Sequence, residues 1–231
     1  MSAIPEGTTM YRRADAAANR AEWHRYYSPK RSAHQHAQLE LIGRTQARRV
    51  LEIGPYLGYV TALLDNAGYG VETLDLGPRQ FVRPDVPHHA CDLRTLDPAR
   101  FAGFDVVLCC ETLEHLPFAA AREVLVRLHA TGAAHLAAHL IVSVPWSGLH
   151  LWLAAHLAPG WLRTALHLKW PRRFARFVPE ADPLGHKWEV GYRGTSLAAW
   201  EAALAEAGWR VRDRLFTAPT RSVMHLCDRR A

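Results

Sequence analysis

The chain has 231 residues, 49% of them hydrophobic, which suits one large domain with a substantial core and an inserted element. A formal charge of +6 favours anionic partners without requiring nucleic acid. The four cysteines (Cys91, Cys109, Cys110 and Cys227) contain no CxxC pair, and no run has the length of a transmembrane helix or the apolar core of a leader. These features argue against a disulfide frame, a zinc knuckle and a membrane-spanning helix, and lead us to expect reduced thiols in a cytoplasmic protein.

Residues 1–10 read as a loose tail. The segments 11–25 and 29–46 read as two helices forming an N-terminal lid over 1–47, with Ser28 capping the second and Pro29 in its first turn. Tyr26, Tyr27, Arg31, His34 and Gln35 are the lid residues placed to touch a cofactor; solvated helices with aromatic staples are the alternative. The main domain, 48–231, opens on Val50-Leu51-Glu52-Ile53-Gly54-Pro55-Tyr56-Leu57-Gly58. An apolar run carrying an acid, a turn with two glycines and a segment with Val60, Leu63 and Leu64 at helical spacing predict strand, tight loop and crossover helix. Glycine lets the backbone approach a ligand and adopt positive φ.

Gly70–Asp75 predicts a second strand ending in an acid, and His88–Cys91 a short third one followed by Asp92-Leu93. Phe104–Cys110 predicts a buried fourth strand, leading into Glu111-Thr112-Leu113-Glu114-His115 and a helix from Pro117 to Leu128. A fifth strand is expected over 135–144. Between Val124 and Pro179 there is no Asp or Glu, while Arg163, Lys169, Arg172, Arg173 and Arg176 accumulate. Leu149, Trp152, Leu153 and His156, then Trp161, Leu162, Ala165 and Leu166, make two stripes at helical spacing. We expect a helical insertion at about 147–190, a lid over the substrate; its basic, Trp-rich character also fits a peripheral membrane contact through 147–180 or a site for an acidic substrate. A helix over 195–207 stopped by Gly208, and two strands over 209–216 and 222–227 forming an antiparallel hairpin, close the chain. The predicted fold class is α/β: a doubly wound, mostly parallel, seven-stranded Rossmann-like sheet with a terminal hairpin and an inserted helical lid.

The strand-acid-glycine loop, second-strand acid, third-strand Asp and Phe-Asp fourth strand resemble the class I S-adenosylmethionine-dependent methyltransferases. That resemblance spans about 48–145 and the terminal hairpin. It implies S-adenosylmethionine as cofactor, with Glu52, Gly54, Tyr56 and Gly58 at its methionine end, Asp75 with Leu76 at the ribose and Asp92 with Leu93 beside the adenine. Tyr56 departs from the family's usual glycine, and the absent GxGxxG argues against a nicotinamide enzyme.

Glu111, Glu114 and His115, at i, i+3 and i+4, would share one face of a helical turn. Two carboxylates and an imidazole suit a divalent cation such as Mg2+, which relieves their repulsion. The pattern resembles the metal-assisted small-RNA 2′-O-methyltransferases and ubiquinone-pathway O-methyltransferases. That likeness implies His186, in Gly185-His186-Lys187-Trp188-Glu189, as fourth ligand, with Glu111, His115 and His186 catalytic. Metal-free alternatives are cofactor contact by Glu111, a helix-dipole role for Glu114, His115 as a simple base and His186 as a loop histidine. The leading expectation is O-methylation of a small or amphipathic, hydrophobic or acidic, metabolite. RNA 2′-O-methylation ranks second, because no RNA-binding module is attached, and a catalytically silent methyltransferase-like partner third.

Overall fold

The computed structural model describes residues 16–79, 85–132, 139–156, 163–217 and 222–230. The tail over 1–10, the start of the first helix, His135 and the pair Trp161-Leu162 lie outside them. Helices α1 (Ala16–Tyr26) and α2 (Pro29–Gly43) precede β1 (Arg49–Ile53), α3 (Tyr59–Asn66), β2 (Gly70–Asp75) and β3 (His88–Ala90). Next come β4 (Val106–Cys110), α4 (Phe118–Ala130), β5 (His139–Pro145), β6 (Gly148–His156) and β7 (Arg163–Pro171). The chain closes with α5 (Leu197–Glu206), β8 (Trp209–Thr217) and β9 (Ser222–Arg229). Ser28 accepts a hydrogen bond from the Arg31 amide and Pro29 opens α2, as the sequence predicts.

Among the described residues seven strands form one sheet in the order β3-β2-β1-β4-β5-β9-β8, parallel except where β9 pairs with β5 and β8. Alternate residues feed two layers. Leu51, Ile53, Val107 and Cys109 join a cluster with Val124, Leu125 and Leu128 of α4 and Trp200 of α5. Val50, Val106 and Leu108 join Leu41 and Ile42 of α2 and Val60 and Leu64 of α3 on the other face. Burial on both faces is why the central strands read as continuous apolar runs. The cysteines are free, and Cys109 and Cys227 serve as small buried apolar groups. Strand order reverses between β2-β1 and β1-β4, which opens a crevice beyond the carboxyl ends of these strands.

Two expectations give way. The 147–190 insertion is not helical: β6 and β7 form a separate antiparallel hairpin, followed by loop and one 3-10 turn over Pro179–Ala181. The apolar residues there satisfy a period of two as well as a helical one. Leu149, Leu151 and Leu153 alternate along β6, and the register sets them opposite Trp170, Leu168 and Leu166. The helical turn expected at 111–115 is also absent. Glu111 takes a left-handed φ of 52°, and only Leu113–His115 form a turn, of 3-10 type. Glu111 therefore does not share a face with Glu114 and His115.

Candidate active site

The loop after β1 is built around backbone that most residues avoid. Gly54 and Gly58 have φ of 70° and 72°, and Gly58 starts α3. A Cβ on Gly54 would lie 2.4 Å from Thr112 Oγ1, whose hydroxyl donates to the Cys110 carbonyl, so loop and β4 tip touch where only glycine fits. Gly54→Ala is expected to lower the melting temperature and to weaken cofactor binding. Adding Thr112→Ala should relieve the clash and leave only the backbone strain, about 1 kcal/mol; full additivity of the two losses would contradict the contact.

Helix α1 covers this loop. The Tyr56 hydroxyl donates to Glu22, Tyr26 and Tyr56 rings lie 4.6 Å apart, and Tyr27 lies 4.8 Å from Tyr59. Tyr56 itself has φ of 49°, a strained geometry that the aromatic contacts hold in place. The N-terminal segment thus packs on the glycine turn through Glu22, Tyr26 and Tyr27.

Glu52 is buried under the loop, its carboxylate accepting from the Thr61 hydroxyl at 2.6 Å. Burial pushes its pKa up to about 7. A raised folded pKa means the stabilising protonated form is fully present below the ordinary carboxylate range and lost as pH rises through about 7. Thermal melts from pH 5 to 8 should therefore show Glu52→Gln gaining on the wild type as pH rises; parallel curves would contradict a buried, strained carboxylate.

Asp75 stands at the tip of β2. Its carboxylate accepts from the Leu76 amide at 2.7 Å, the one hydrogen bond it makes among the described residues, and burial raises its pKa. It is an under-solvated acceptor suited to vicinal hydroxyls. Asp92 is differently occupied: it accepts from the Arg94 amide at 2.9 Å and from the Arg94 guanidinium at 2.6 and 3.0 Å, which holds its pKa down. Leu93 beside it is buried and Leu76 is exposed. The positive-φ glycines, the closed approach to Thr112 and the poorly satisfied Asp75 fit a nucleoside cofactor across the tips of β1 and β2.

At the tip of β4, Glu111 is the centre of a polar cluster drawn from distant parts of the chain. Its amide donates to Ser143 on β5 at 2.9 Å. Oε1 accepts from the Ser222 hydroxyl at 3.0 Å and lies 3.6 Å from His34 Nε2; Oε2 lies 3.7 Å from Arg31. His34, 4% exposed, contacts the Thr217 hydroxyl through Nδ1 at 3.0 Å, and Thr217 pairs with Ser222 across the β8–β9 hairpin. Burial lowers the His34 pKa, so its ring is neutral near pH 7. The sequence offered Arg31 and His34 as lid residues that touch a cofactor; in the structure both lie beside Glu111. Ser222 and Thr217 were missed, since only the hairpin register brings them here.

Glu114, His115 and His186 form a second cluster. The His186 segment docks by backbone: the Lys187 amide donates to the Glu114 carbonyl at 2.7 Å, Val190 bonds to β5 at Pro145, and the Trp188 indole donates to the Leu116 carbonyl. This places His186 Nε2 4.0 Å from Glu114 Oε1 and its ring 5.1 Å from His115. His186 Nδ1 lies 3.6 Å from Asp182 and 3.5 Å from Glu189, two carboxylates the sequence reading overlooked. Glu114 is 0% exposed and neither carboxylate oxygen has a hydrogen-bond partner among the described residues. Desolvation, then the neighbouring Glu111, drives its pKa well above the ordinary range, and burial beside His186 lowers that of His115. Ligand atoms of Glu114, His115 and His186 lie within 4.8 Å of one another, so this donor set fits a divalent cation. Of the four expected ligands the structure gathers these three and leaves Glu111 with Arg31 and His34.

A cleft of about 590 Å3 opens beyond β4 and β5. Glu111, His34, Arg31 and His186 line its floor, and Trp146, Phe177 and Tyr192 its apolar sides.

No protein-family model matches the sequence, and comparison with curated proteins finds no match. The fold is similar to that of several solved structures. One is the 1,6-didemethyltoxoflavin-N1-methyltransferase of Burkholderia thailandensis, solved with 1,6-didemethyltoxoflavin and S-adenosylhomocysteine; TM-score is 0.60 at 18% identity, over 95% of this chain and 87% of that one. The N-methyltransferase NodS of Bradyrhizobium japonicum gives 0.57 at 15%, over 94% and 93%. The amino pentose methyltransferase CalS10 of Micromonospora echinaspora, bound to S-adenosylmethionine, gives 0.56 at 18%, over 93% and 97%. The chain thus has the Rossmann-like methyltransferase fold.

Proposed function

We propose that the protein is an S-adenosylmethionine-dependent methyltransferase that methylates an oxygen of a small organic acceptor in the cleft beyond β4 and β5. One observation carries this reading. Glu111 and Thr112 are consecutive, yet Thr112 touches Gly54 of the nucleoside crevice while Glu111 lines the acceptor cleft with His34. The two half-sites therefore meet at one point of the chain.

When bound, the cofactor supplies a methyl group on a sulfonium, a good leaving group. The protein's task is alignment and removal of one proton. Buried and neutral, His34 would take the acceptor hydroxyl's proton as the methyl group passes to that oxygen. Glu111 then stabilises the imidazolium, and Thr217 orients the ring through Nδ1. Incubation with methyl-labelled cofactor and a panel of hydroxy and amino compounds tests the assignment: a methyl ether of a hydroxy compound is expected. Methyl transfer to nitrogen is the second reading, favoured by the N-methyltransferases among the similar folds. Salt-sensitive retention of short RNA in a gel would favour the RNA 2′-O reading, and absent cofactor binding the catalytically silent one.

The unsatisfied carboxylate of Glu114 further supports a divalent cation held by Glu114, His115 and His186, with Asp182 and Glu189 steadying the outer nitrogen of His186. Such a cation would lower the pKa of an acceptor hydroxyl. Mg2+ or Mn2+ should raise the melting temperature of the wild type and leave Glu114→Gln unmoved. Identical melts with and without metal would assign the Glu114 carboxyl a proton instead.

A further inference from the structure

The β6–β7 hairpin springs from the rim of the acceptor cleft. Its ends, Gly148 and Pro171, pair with each other, and the residues beside them, Ser147 and Arg172, line the cleft. Each strand has nine residues, about 30 Å of extended chain. Its two strands form a sheet of their own, apart from the seven-stranded one. A two-stranded hairpin is marginal in water unless a further surface covers one of its faces.

The sequence states what kind of surface. The strands carry Leu149, Leu151, Trp152, Leu153, Leu166, Leu168 and Trp170, with Arg163 and Lys169 as their only fixed charges. The following segment, Arg172-Arg173-Phe174-Ala175-Arg176, continues the pattern. Phe174 is 96% exposed, and Val178 and Leu184 nearby are 55% and 57% exposed. Among the described residues no carboxylate pairs with Arg172, Arg173 or Arg176. Exposed Phe174, Val178 and Leu184, beside arginines that no described carboxylate pairs with, match an anionic bilayer surface, where apolar groups enter the acyl boundary and cations meet lipid phosphates. From Arg172 to Pro179 the segment carries three arginines and no acid, the charge that an anionic surface attracts.

We propose that the β6–β7 hairpin and the Arg172–Val178 segment dock this protein on an anionic membrane, so that the cleft at their base receives an amphipathic, membrane-borne acceptor. The docking half stands on its own; the acceptor half rests on the methyltransferase reading.

Co-sedimentation of the full chain with vesicles of phosphatidylcholine, with and without phosphatidylglycerol, tests docking without reference to turnover. Binding is expected only to the anionic vesicles, weakening as salt rises. Arg173 and Phe174 are outside the cleft lining, so Arg173→Gln and Phe174→Ser leave the site intact. Arg173→Gln should weaken vesicle binding about fivefold, the worth of one cation near the surface, and Phe174→Ser about tenfold or more, the worth of one buried aromatic anchor. Calorimetric cofactor binding, unchanged in both variants, shows that they are folded. Equal binding to neutral and anionic vesicles, no binding to either, or dimerisation lost in the same variants without vesicle binding would each overturn the proposal. Vesicle docking without cofactor binding would retain the docking surface and remove the methyltransferase reading.

Discussion

Replacing Glu111 by Gln, or His34 by Asn, should lower turnover about 10^2- to 10^4-fold, the usual range for losing a general base and its partner, while cofactor affinity stays within twofold or so. The split follows from placement. Both side chains line the acceptor cleft, whereas the glycine loop, Asp75 and Asp92 lie outside its lining. Glu111 also sits at φ of 52°, a conformation held by its bond to Ser143 and by Ser222 and not by preference. Strain of this kind costs roughly 1–3 kcal/mol and collects at working sites. Gln keeps the shape and the Ser222 bond but loses the charge that stabilises a protonated His34. The pH profile separates this role from a structural one. In the wild type, activity should fall as pH drops through the lowered His34 pKa, and this acidic limb should vanish in His34→Asn. Equal loss of turnover and cofactor affinity would move Glu111 into the cofactor site.

Asp75→Ala should weaken cofactor binding by on the order of 10^2- to 10^4-fold, because two hydrogen bonds to a charged acceptor contribute about 1.5–3 kcal/mol each. The fold should tolerate the change, since the carboxylate is held only by its neighbour's amide and burial already opposes its charge. Asp75→Asn, which keeps one acceptor oxygen, should fall between. Unchanged calorimetric affinity would remove Asp75 from the site. Asp92→Ala is the informative contrast: its carboxylate is already taken by Arg94, so a smaller loss is expected.

The central strands were legible because each is buried on both faces and bounded by turn residues. Gly54 and Gly58 were legible because backbone geometry demands them. The hairpin was misread because Leu149, Trp152 and Leu153 satisfy a helical period while Leu149, Leu151 and Leu153 satisfy a strand's. Nothing local decides between the two. Glu111 was misplaced for another reason: spacing predicts a shared face only where φ stays helical, and the chain turns left-handed there. The His34–Thr217–Ser222–Glu111 contacts span up to 183 positions, so sheet order creates them and no motif announces them. His186, in contrast, was found through a short segment whose backbone docks on the 111–116 turn.

Calorimetric titration of the wild type with S-adenosylhomocysteine, alongside NAD, tests the shared basis of these assignments most directly. Saturable one-to-one binding of the first, lost in Asp75→Ala and absent for NAD, is the expected result. Heat from NAD alone, or from neither, would mean that the crevice beyond β1 and β2 does not hold a methyl donor.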